Sequence, residues 1–577
     1  MRIALLTLGD EAPSRWSEGP SASCAARPDR IAEAATSLLE EGAPWIACWD
    51  VRLPAPEPEL LRRLAHRPED AWHAGLLLGQ SARPALIDRV HPTWMLNLDP
   101  PADRTASSWR LSLRACLVRA AAWARLGGPD DGFRSLDAAA LELGHRWLWG
   151  GALIRHEPRL LSGGAGAPGL EVHDLELPMA DQLRFLRRRC GRFWTAWAAG
   201  RELLGGRTAP LRKLAAGGGA PSVASPLPGR LEPRDRAPRG EDRGPEKEPR
   251  VSVLIPTLDR YPYLEVVLRQ LAGQTVPPHQ VIVIDQTAAE RRRRGDDLCP
   301  EALPCTVLER DRPGQSSARN AGLQRVTGDV VLFLDDDVEI EPDLIAGHLA
   351  TLRRWGADAS CGVAEETGAG PLPQEFRLLR TSDVFPTCNA AVRREALERS
   401  GLFDLAFDHG SRADADLGTR LYLSGALMVL DPELSVIHHK APAGGLREHR
   451  ARVITYAASR RRAWARHLPS ATEIYLAKRY FAARQAREML WMRVAGTLRA
   501  RGGLRRQALK LLAGLLTLPD SLARVAARAR RAESMLLEGY PVIPRLEAPA
   551  GLEESRTQGA GDGDAISRAG LDPGRGA

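Results

Sequence analysis

Val330-Val331-Leu332-Phe333-Leu334-Asp335-Asp336-Asp337 is the stretch that decides the fold. An unbroken apolar run reads as a strand covered on both faces, as in the parallel part of an α/β sheet, and ligands of such sheets bind beyond the carboxyl ends of the strands. Adjacent carboxylates at that end repel one another unless water or a cation lies between them. The cluster therefore marks either a divalent-metal site or a solvated acidic turn, and in isolation the turn is the simpler reading.

Working outward, 251–256 and 281–284 are further apolar runs, 263–274 has helical spacing, and 317–325 starts another helix. Strand and helix patterns that alternate in this way predict a parallel, doubly wound core. The first run ends in Pro256-Thr257 and the second in Asp285, so both ends should face the crevice beside Asp335. A strand-end aspartate can accept hydrogen bonds from a base or sugar, and it can equally cap a helix. Pro313-Gly314-Gln315-Ser316-Ser317-Ala318-Arg319-Asn320 opens the later helix, where backbone N–H groups and the Arg319 guanidinium suit a diphosphate. An ordinary capped helix is the alternative.

Taken in order, these pieces resemble the family 2 glycosyltransferases, which have the GT-A fold. The resemblance runs from Val251 to about Pro442 and rests on the I-P-T strand end, Asp285, the G-x-x-x-A-R-N-x-G helix start and the D-x-D of Asp335-Asp336-Asp337. Cys388-Asn389-Ala390 and Gly401-Leu402-Phe403-Asp404 look like the acceptor-side segment of the family. Ala413-Asp414-Ala415-Asp416-Leu417 is similar to its E-D-x-D-L signature, with Ala413 where the family has Glu. The resemblance implies a nucleotide-sugar donor and Mg2+ or Mn2+ as cofactor, with Asp337 as the direct ligand. It further implies that Asp335 and Asp336 lie at the ribose or sugar, Asp285 at the base, and Pro256, Thr257, Arg319 and Asn320 around the donor. Asp414 is then the general base that takes the proton of an acceptor hydroxyl, in a single displacement that inverts the anomeric carbon. In Ile437-His438-His439-Lys440, after a strand expected at 426–430, His438 is preferred over His439 as a second metal ligand.

The rest of the chain sets the context. At 577 residues with 44% hydrophobic residues, two or three globular domains are expected. The net charge of +8 does not argue for nucleic acid, because Lys213, Lys247, Lys440, Lys478 and Lys510 are the only lysines among 80 basic residues, a sign of GC-rich coding. The 8 cysteines form no C-x-x-C pair, so reduced and mostly buried thiols are expected, as in the cytoplasm. Met1-Arg2-Ile3-Ala4-Leu5-Leu6 reads as a first strand rather than a secretory segment, and the apolar run at 511–518 is too short to span a bilayer. Residues 205–249 are rich in Gly, Pro and Arg and read as a disordered linker, as does the tail at 547–577. Residues 250–445 form the expected catalytic domain. Residues 446–546 read as helices with basic and apolar faces, which could lie on the cytoplasmic face of an anionic membrane or pack on the catalytic domain.

The N-terminal residues 1–204 carry a trace of the same pattern. Residues 117–158 align without a gap to 391–432: Val118 matches Val392, Gly127 matches Gly401, Leu143-Gly144 matches Leu417-Gly418, and Arg146 matches Arg420. Thr7-Leu8 parallels Thr257-Leu258, and Cys48-Trp49-Asp50-Val51 stands where the carboxylate cluster would be. Ala140 occupies the place of Asp414. The expected fold class is therefore α/β: a GT-A catalytic domain preceded by a degenerate GT-A-like domain and followed by a helical region. The expected acceptor is a glycan or a lipid-linked glycan of the cell envelope. A non-catalytic scaffold of two such domains is the alternative from another class, and a nucleotidyltransferase is disfavoured because no Gly-rich activation loop follows the first strand.

Overall fold

The computed structural model describes residues 2–9, 16–74, 85–99, 101–161, 177–215, 231, 248–368, 370–445, 459–460 and 462–546. In the second α/β unit, β8 (Val251–Thr257), β9 (Gln280–Asp285), β10 (Cys305–Glu309) and β11 (Val330–Leu334) run parallel. The mixed part follows through β12 (Val338–Glu339), β13 (Ala359–Glu366), β14 (Arg380–Thr381), β15 (Asn389–Arg393) and β16 (Met428–His438). The order is β10-β9-β8-β11-β15-β13-β16-β12, with β14 on β16 and β15 antiparallel to both β11 and β13. Residues 330–334 are buried without exception, as a strand covered by helices on both faces requires. The mixed GT-A sheet expected from the sequence is the sheet found.

The N-terminal unit repeats this topology. Its strands are β1 (Ile3–Leu8), β2 (Ser21–Cys24), β3 (Trp45–Asp50), β4 (Ala71–His73), β5 (Ala106–Ser107), β6 (Ala115–Arg119) and β7 (Ile154–His156), in the order β2-β1-β3-β6-β4-β7-β5. Register confirms the equivalence. Val118 pairs with Ile46 and Ala71, and its match Val392 pairs with Val331 and Ala359. Arg146 donates to the carbonyls of Leu126, Gly127 and Gly128, while Arg420 donates to those of Ser400, Gly401 and Leu402. Gly127 and Gly401 end the preceding helices at φ 77° and 75°, a conformation that favours glycine.

The same register corrects two sequence-level matches. Ile3 pairs with Trp45 as Val251 pairs with Val330, so Thr7 stands opposite Ile255, not Thr257. Asp50 then stands at Asp335, Val51 at Asp336 and Arg52 at Asp337. Short strands rich in aliphatic residues allow a slip of two positions without changing which face is buried, and sequence alone could not detect it. Among the described residues, nothing between β1 and β2 matches the helix Tyr261–Ala272.

The two units pack through equivalent surfaces. A Cβ at Gly151 would lie 2.8 Å from Leu379 O, and one at its match Gly425 would lie 2.5 Å from Thr105 O, the residue equivalent to Leu379. The helix Leu136–Trp149 touches β14, and the helix Ala413–Leu423 touches β5. Such reciprocity is that of a two-fold dimer, built here within one chain. Tyr422 Oη donates to Leu98 O at 2.9 Å and Arg155 to Gly425 O at 3.1 Å across the junction.

The C-terminal helices Ala471–Tyr480, Ala483–Gly496, Leu504–Leu516 and Leu518–Leu537 close the structure. The first is tied to the catalytic unit by Tyr475 and Arg479, which donate to Asp404, and by Arg479 and Tyr480, which donate to Asp416. The last segment returns over the acceptor side, where Leu402 N donates to Pro544 O and Leu405 N to Val542 O. The expected all-reduced cysteine set is corrected in one place: Cys299 and Cys305 form a disulfide, because the turn into β10 brings their Cα atoms to 5.8 Å, within bonding reach. The others are free thiols. The expected linker and tail lie largely outside the described residues. Within the linker, however, Ala209–Ala215 is helical and Leu231 is buried, its N–H donating to Gly150 O.

Candidate functional site

The carboxyl ends of β8 and β11 and the end of β16 open onto one cavity of about 280 Å³, lined by Pro256, Thr257, Arg260, Gln286, Arg319, Asp335, Asp336, Asp337 and His438, among others. The aspartates take different roles because the turn after Leu334 points them differently. Asp336 turns inward, 3% exposed, and accepts from Thr257 Oγ1 at 2.8 Å and from Arg260 at 3.0 Å. Burial pushes its carboxyl up to about 7, against the pull of Arg260. Asp335 stays half-exposed and receives Arg319 Nη2 at 3.2 Å.

Asp337, unlike Asp336, is held ionised. Burial opposes its charge, but His438, Arg260 and the Ala441 amide outweigh burial and hold the carboxyl at about 2. One oxygen, Oδ2, accepts from Ala441 N at 2.8 Å. The other, Oδ1, is buried without a hydrogen-bond partner and lies 3.2 Å from His438 Nε2. Asp335, Asp337 and His438 offer ligand atoms that all lie within 4.8 Å of one another. Two carboxylates, an imidazole and an orphaned buried oxygen fit a divalent cation. His438 ends β16 instead of following a shorter strand, while His439 points to Glu339, 2.6 Å away.

Other residues named from the sequence are brought to the site but spent on structure. Asp285 is fully buried, accepting from Tyr261 Oη at 2.6 Å and from Thr287 N at 2.9 Å. Asn320 clasps Phe403 through its N–H and C=O, at 2.8 Å each way, and so fixes the helix Gln315–Leu323 to the acceptor-side loop. The expectation that this helix start offers free N–H groups to a diphosphate is corrected. Asp408 Oδ1 already accepts from Ser316 N and Ser317 N, and Gln286 accepts from Gly314 N. A carboxylate from a distant loop thus caps the helix and leaves the Arg319 side chain as its contribution to the cavity.

Asp414 sits in the first turn of the helix Ala413–Leu423, exposed, its Oδ1 bonded to Ala415 N. It lines a separate cavity of about 220 Å³. Cys388 lies between the two carboxylates: its thiol is pushed up by burial and further by the charges of Asp335 and Asp414. Sequence reasoning missed Arg260, which neutralises both Asp336 and Asp337 from the turn after β8. Its signal was an arginine just past the Pro-Thr strand end, opposite an acidic cluster. It also missed Glu473, which receives Arg412 at 2.9 Å and Arg493 at 3.0 Å beside Asp414.

In the N-terminal unit the corresponding place is inactive for cations. Arg52, at the position of Asp337, is salt-bridged to Asp50 at 2.8 Å, and Arg114 adds a second guanidinium at 2.9 Å. Ala140, at the position of Asp414, is buried.

A mixed sheet thus gathers strand-end carboxylates and an imidazole at one cavity, with a helical carboxylate at a second, in the GT-A arrangement expected from the sequence. Residues 252–411, within the α/β unit that holds the site, match Glycosyl transferase family 2. The succinoglycan biosynthesis protein ExoM of Rhizobium meliloti is 31% identical over 32% of this chain and 64% of its own length. The glycosyltransferase YwdF of Bacillus subtilis is 31% identical over 27% and 62%. A GalNAc(5)-diNAcBac-PP-undecaprenol beta-1,3-glucosyltransferase of Campylobacter jejuni is 28% identical over 22% and 42%. The chain thus spans less than two thirds of these relatives. Among solved structures, the mannosyltransferase PcManGT of Pyrobaculum calidifontis, in complex with GDP-Man and Mn2+, aligns with a TM-score of 0.32 and 21% identity over 52% of this chain and 89% of that one.

Proposed function

We propose that the chain is an inverting glycosyltransferase that moves a sugar from a nucleoside-diphosphate donor to a hydroxyl of a glycan or lipid-linked glycan. The observation that carries the reading is the grouping of Asp335, Asp337 and His438, whose ligand atoms lie within 4.8 Å of one another at the strand-end cavity, together with an exposed Asp414 on a second cavity. Mg2+ or Mn2+ held by Asp335, Asp337 and His438 would supply positive charge toward a leaving diphosphate. Arg319, now on Asp335, is the side chain free to turn to the diphosphate once the donor arrives. Asp414 takes the proton of the attacking hydroxyl, and its position at a helix start on an exposed surface lets an acceptor reach it from outside. Pro256, Thr257 and Asp336 line the donor pocket, and Asp285 and Asn320 hold the loops that shape it. A scaffold without catalysis would have no use for the buried unsatisfied oxygen of Asp337 or for an exposed Asp414. The N-terminal unit, where both positions are replaced, shows what such a scaffold looks like.

The same reading extends to peripheral contact with the cytoplasmic face of a membrane through the helix Leu504–Leu516. Leu504 is 90% exposed and Leu516 66%, with Leu509 and Leu512 also exposed and Arg501, Arg505 and Arg506 beside them. Apolar side chains flanked by arginines match the boundary of an anionic bilayer. No helix among the described residues is long and apolar enough to cross a membrane.

The test is turnover of nucleotide sugars with Mn2+ and with Mg2+. Asp414→Asn should lower transfer by about 100-fold or more, the usual worth of a general base, and Asp337→Ala should abolish the metal response. Equal turnover in wild type and both variants contradicts the proposal.

A further inference from the structure

The N-terminal unit has lost its own chemistry, yet it supplies a wall of the cavity that holds Asp414: Trp94 and Met95 face the helix Ala413–Leu423 from that unit. Across the pseudo-two-fold axis lies a second and larger cavity of about 450 Å³, between the equivalent helix Leu136–Trp149 and the turn Gln374–Phe376 of the catalytic unit. The later turns of that helix, His145 and Trp149, line it, whereas Ala140, the match of Asp414, is buried. Both cavities are bounded by Trp94 and Asp383, which are joined by a 2.6 Å hydrogen bond from Trp94 Nε1. The cavity of Asp414 and this larger one therefore share a partition.

The lining of the larger cavity has a particular chemistry. Trp94 and Trp149 stack with ring centroids 5.7 Å apart and a 10° interplanar angle, and both remain partly exposed. Phe376 adds a third aromatic from the opposite wall, and Glu375, Gln374 and Asp383 bring hydrogen-bonding groups to its edge. Buried Arg380 lies over Trp149 and Phe376, 5.0 and 5.7 Å from their ring centroids, so the surface left to the cavity is that of Trp94 and the ring edges. With polar groups at the rim it suits a pyranose, whose C–H face is apolar and whose hydroxyls lie around the edge. The donor cavity differs: it is ringed by charges and suits a diphosphate.

We infer that the degenerate N-terminal domain is an acceptor-binding module: an oligosaccharide acceptor places its terminal hydroxyl at Asp414 and its preceding sugars on Trp94 and in the cavity of Trp149 and Phe376. The inference rests on the transferase reading above and adds the acceptor class, a chain of several sugars rather than a single one.

The test uses the full chain and titrates mono-, tri- and hexasaccharides of β-linked glucose and of N-acetylglucosamine, with the melting temperature of each variant as a check on folding. The inference expects at least about tenfold tighter binding of the longer chains than of the monosaccharide, as a few stacked rings provide. Trp149→Ala should remove that gain with length, and Trp149→Phe, which keeps an aromatic face, should restore it. No gain with length in wild type, or a gain that Trp149→Ala leaves intact, overturns the inference. So does a nucleotide that competes for the Trp149 cavity where the glycans do not. Turnover of nucleotide sugar by the wild type tests the transferase reading separately, so failure of the one is distinguishable from failure of the other.

Discussion

At the residue scale, neighbours in sequence differ in role because the backbone aims them differently. Asp336 and Asp337 are adjacent, yet one is held near 7 by burial and the other near 2 by His438 and Arg260. His438 and His439 divide in the same way, one toward Asp337 and the other onto Glu339. His438→Ala should therefore weaken Mn2+ binding by about tenfold or more, while His439→Ala should leave it within about twofold, as read by titration of the metal. Equal losses would place the ligand set elsewhere. The Asp335-Asp336-Asp337 cluster was legible in the sequence because a buried strand led into it. Arg260 was visible there as a residue but not as a partner, and the cap from Asp408 was not legible at all, since it reaches Ser316 and Ser317 from a distant loop. Contacts of that separation leave no local pattern.

At the element scale, strands and helices were legible where periodicity was strong, as for 330–334, and their ends were less so. The last long strand was expected to stop at 430 but runs to His438, because β13 and β12 pair with its extension. The helix Ala471–Tyr480 brings Glu473 into the gap left by Ala413, beside Asp414. Burial opposes the charge of Glu473, but Arg493 and Arg412 outweigh it and hold the carboxyl below its ordinary 4.5. A depressed folded value contributes stability above the unfolded value and loses it as pH falls through the folded one. Glu473→Gln should thus cost roughly 1–2 kcal/mol near neutral pH, by removing the buried partner of the partly exposed Arg493 and the exposed Arg412. The difference from wild type should shrink below pH 4.5, and a constant difference in melting across that range would contradict the pairing. The helix Leu504–Leu516 carries a separate prediction. The full chain should sediment with phosphatidylglycerol vesicles and not with phosphatidylcholine alone, and Leu512→Asp with Leu516→Asp should release it. Sedimentation that ignores both lipid charge and those changes would argue against membrane contact through this helix.

At the scale of the whole molecule, the chain is two copies of one architecture held face to face, of which one keeps the groups needed for chemistry. The copy was legible because residues 117–158 and 391–432 keep a constant offset through β6, the helix Leu136–Trp149 and β7. The mutual packing was not legible, because Gly151 on Leu379 O and Gly425 on Thr105 O are contacts that no periodicity announces. Nor could the sequence show that the replaced ligand position is Arg52, since that follows from the pairing of β3 with β6, where Trp45 stands at the place of Val330. The presence of a guanidinium at that position makes a sharp contrast between the units: one can bind a cation and the other carries its own. Titration of UDP and GDP into the full chain, with and without Mn2+, tests this account most directly. Nucleotide binding that requires Mn2+, occurs at one site per chain and is lost in Asp337→Ala is the predicted result. Binding that is indifferent to Mn2+, or that survives in Asp337→Ala, would contradict it.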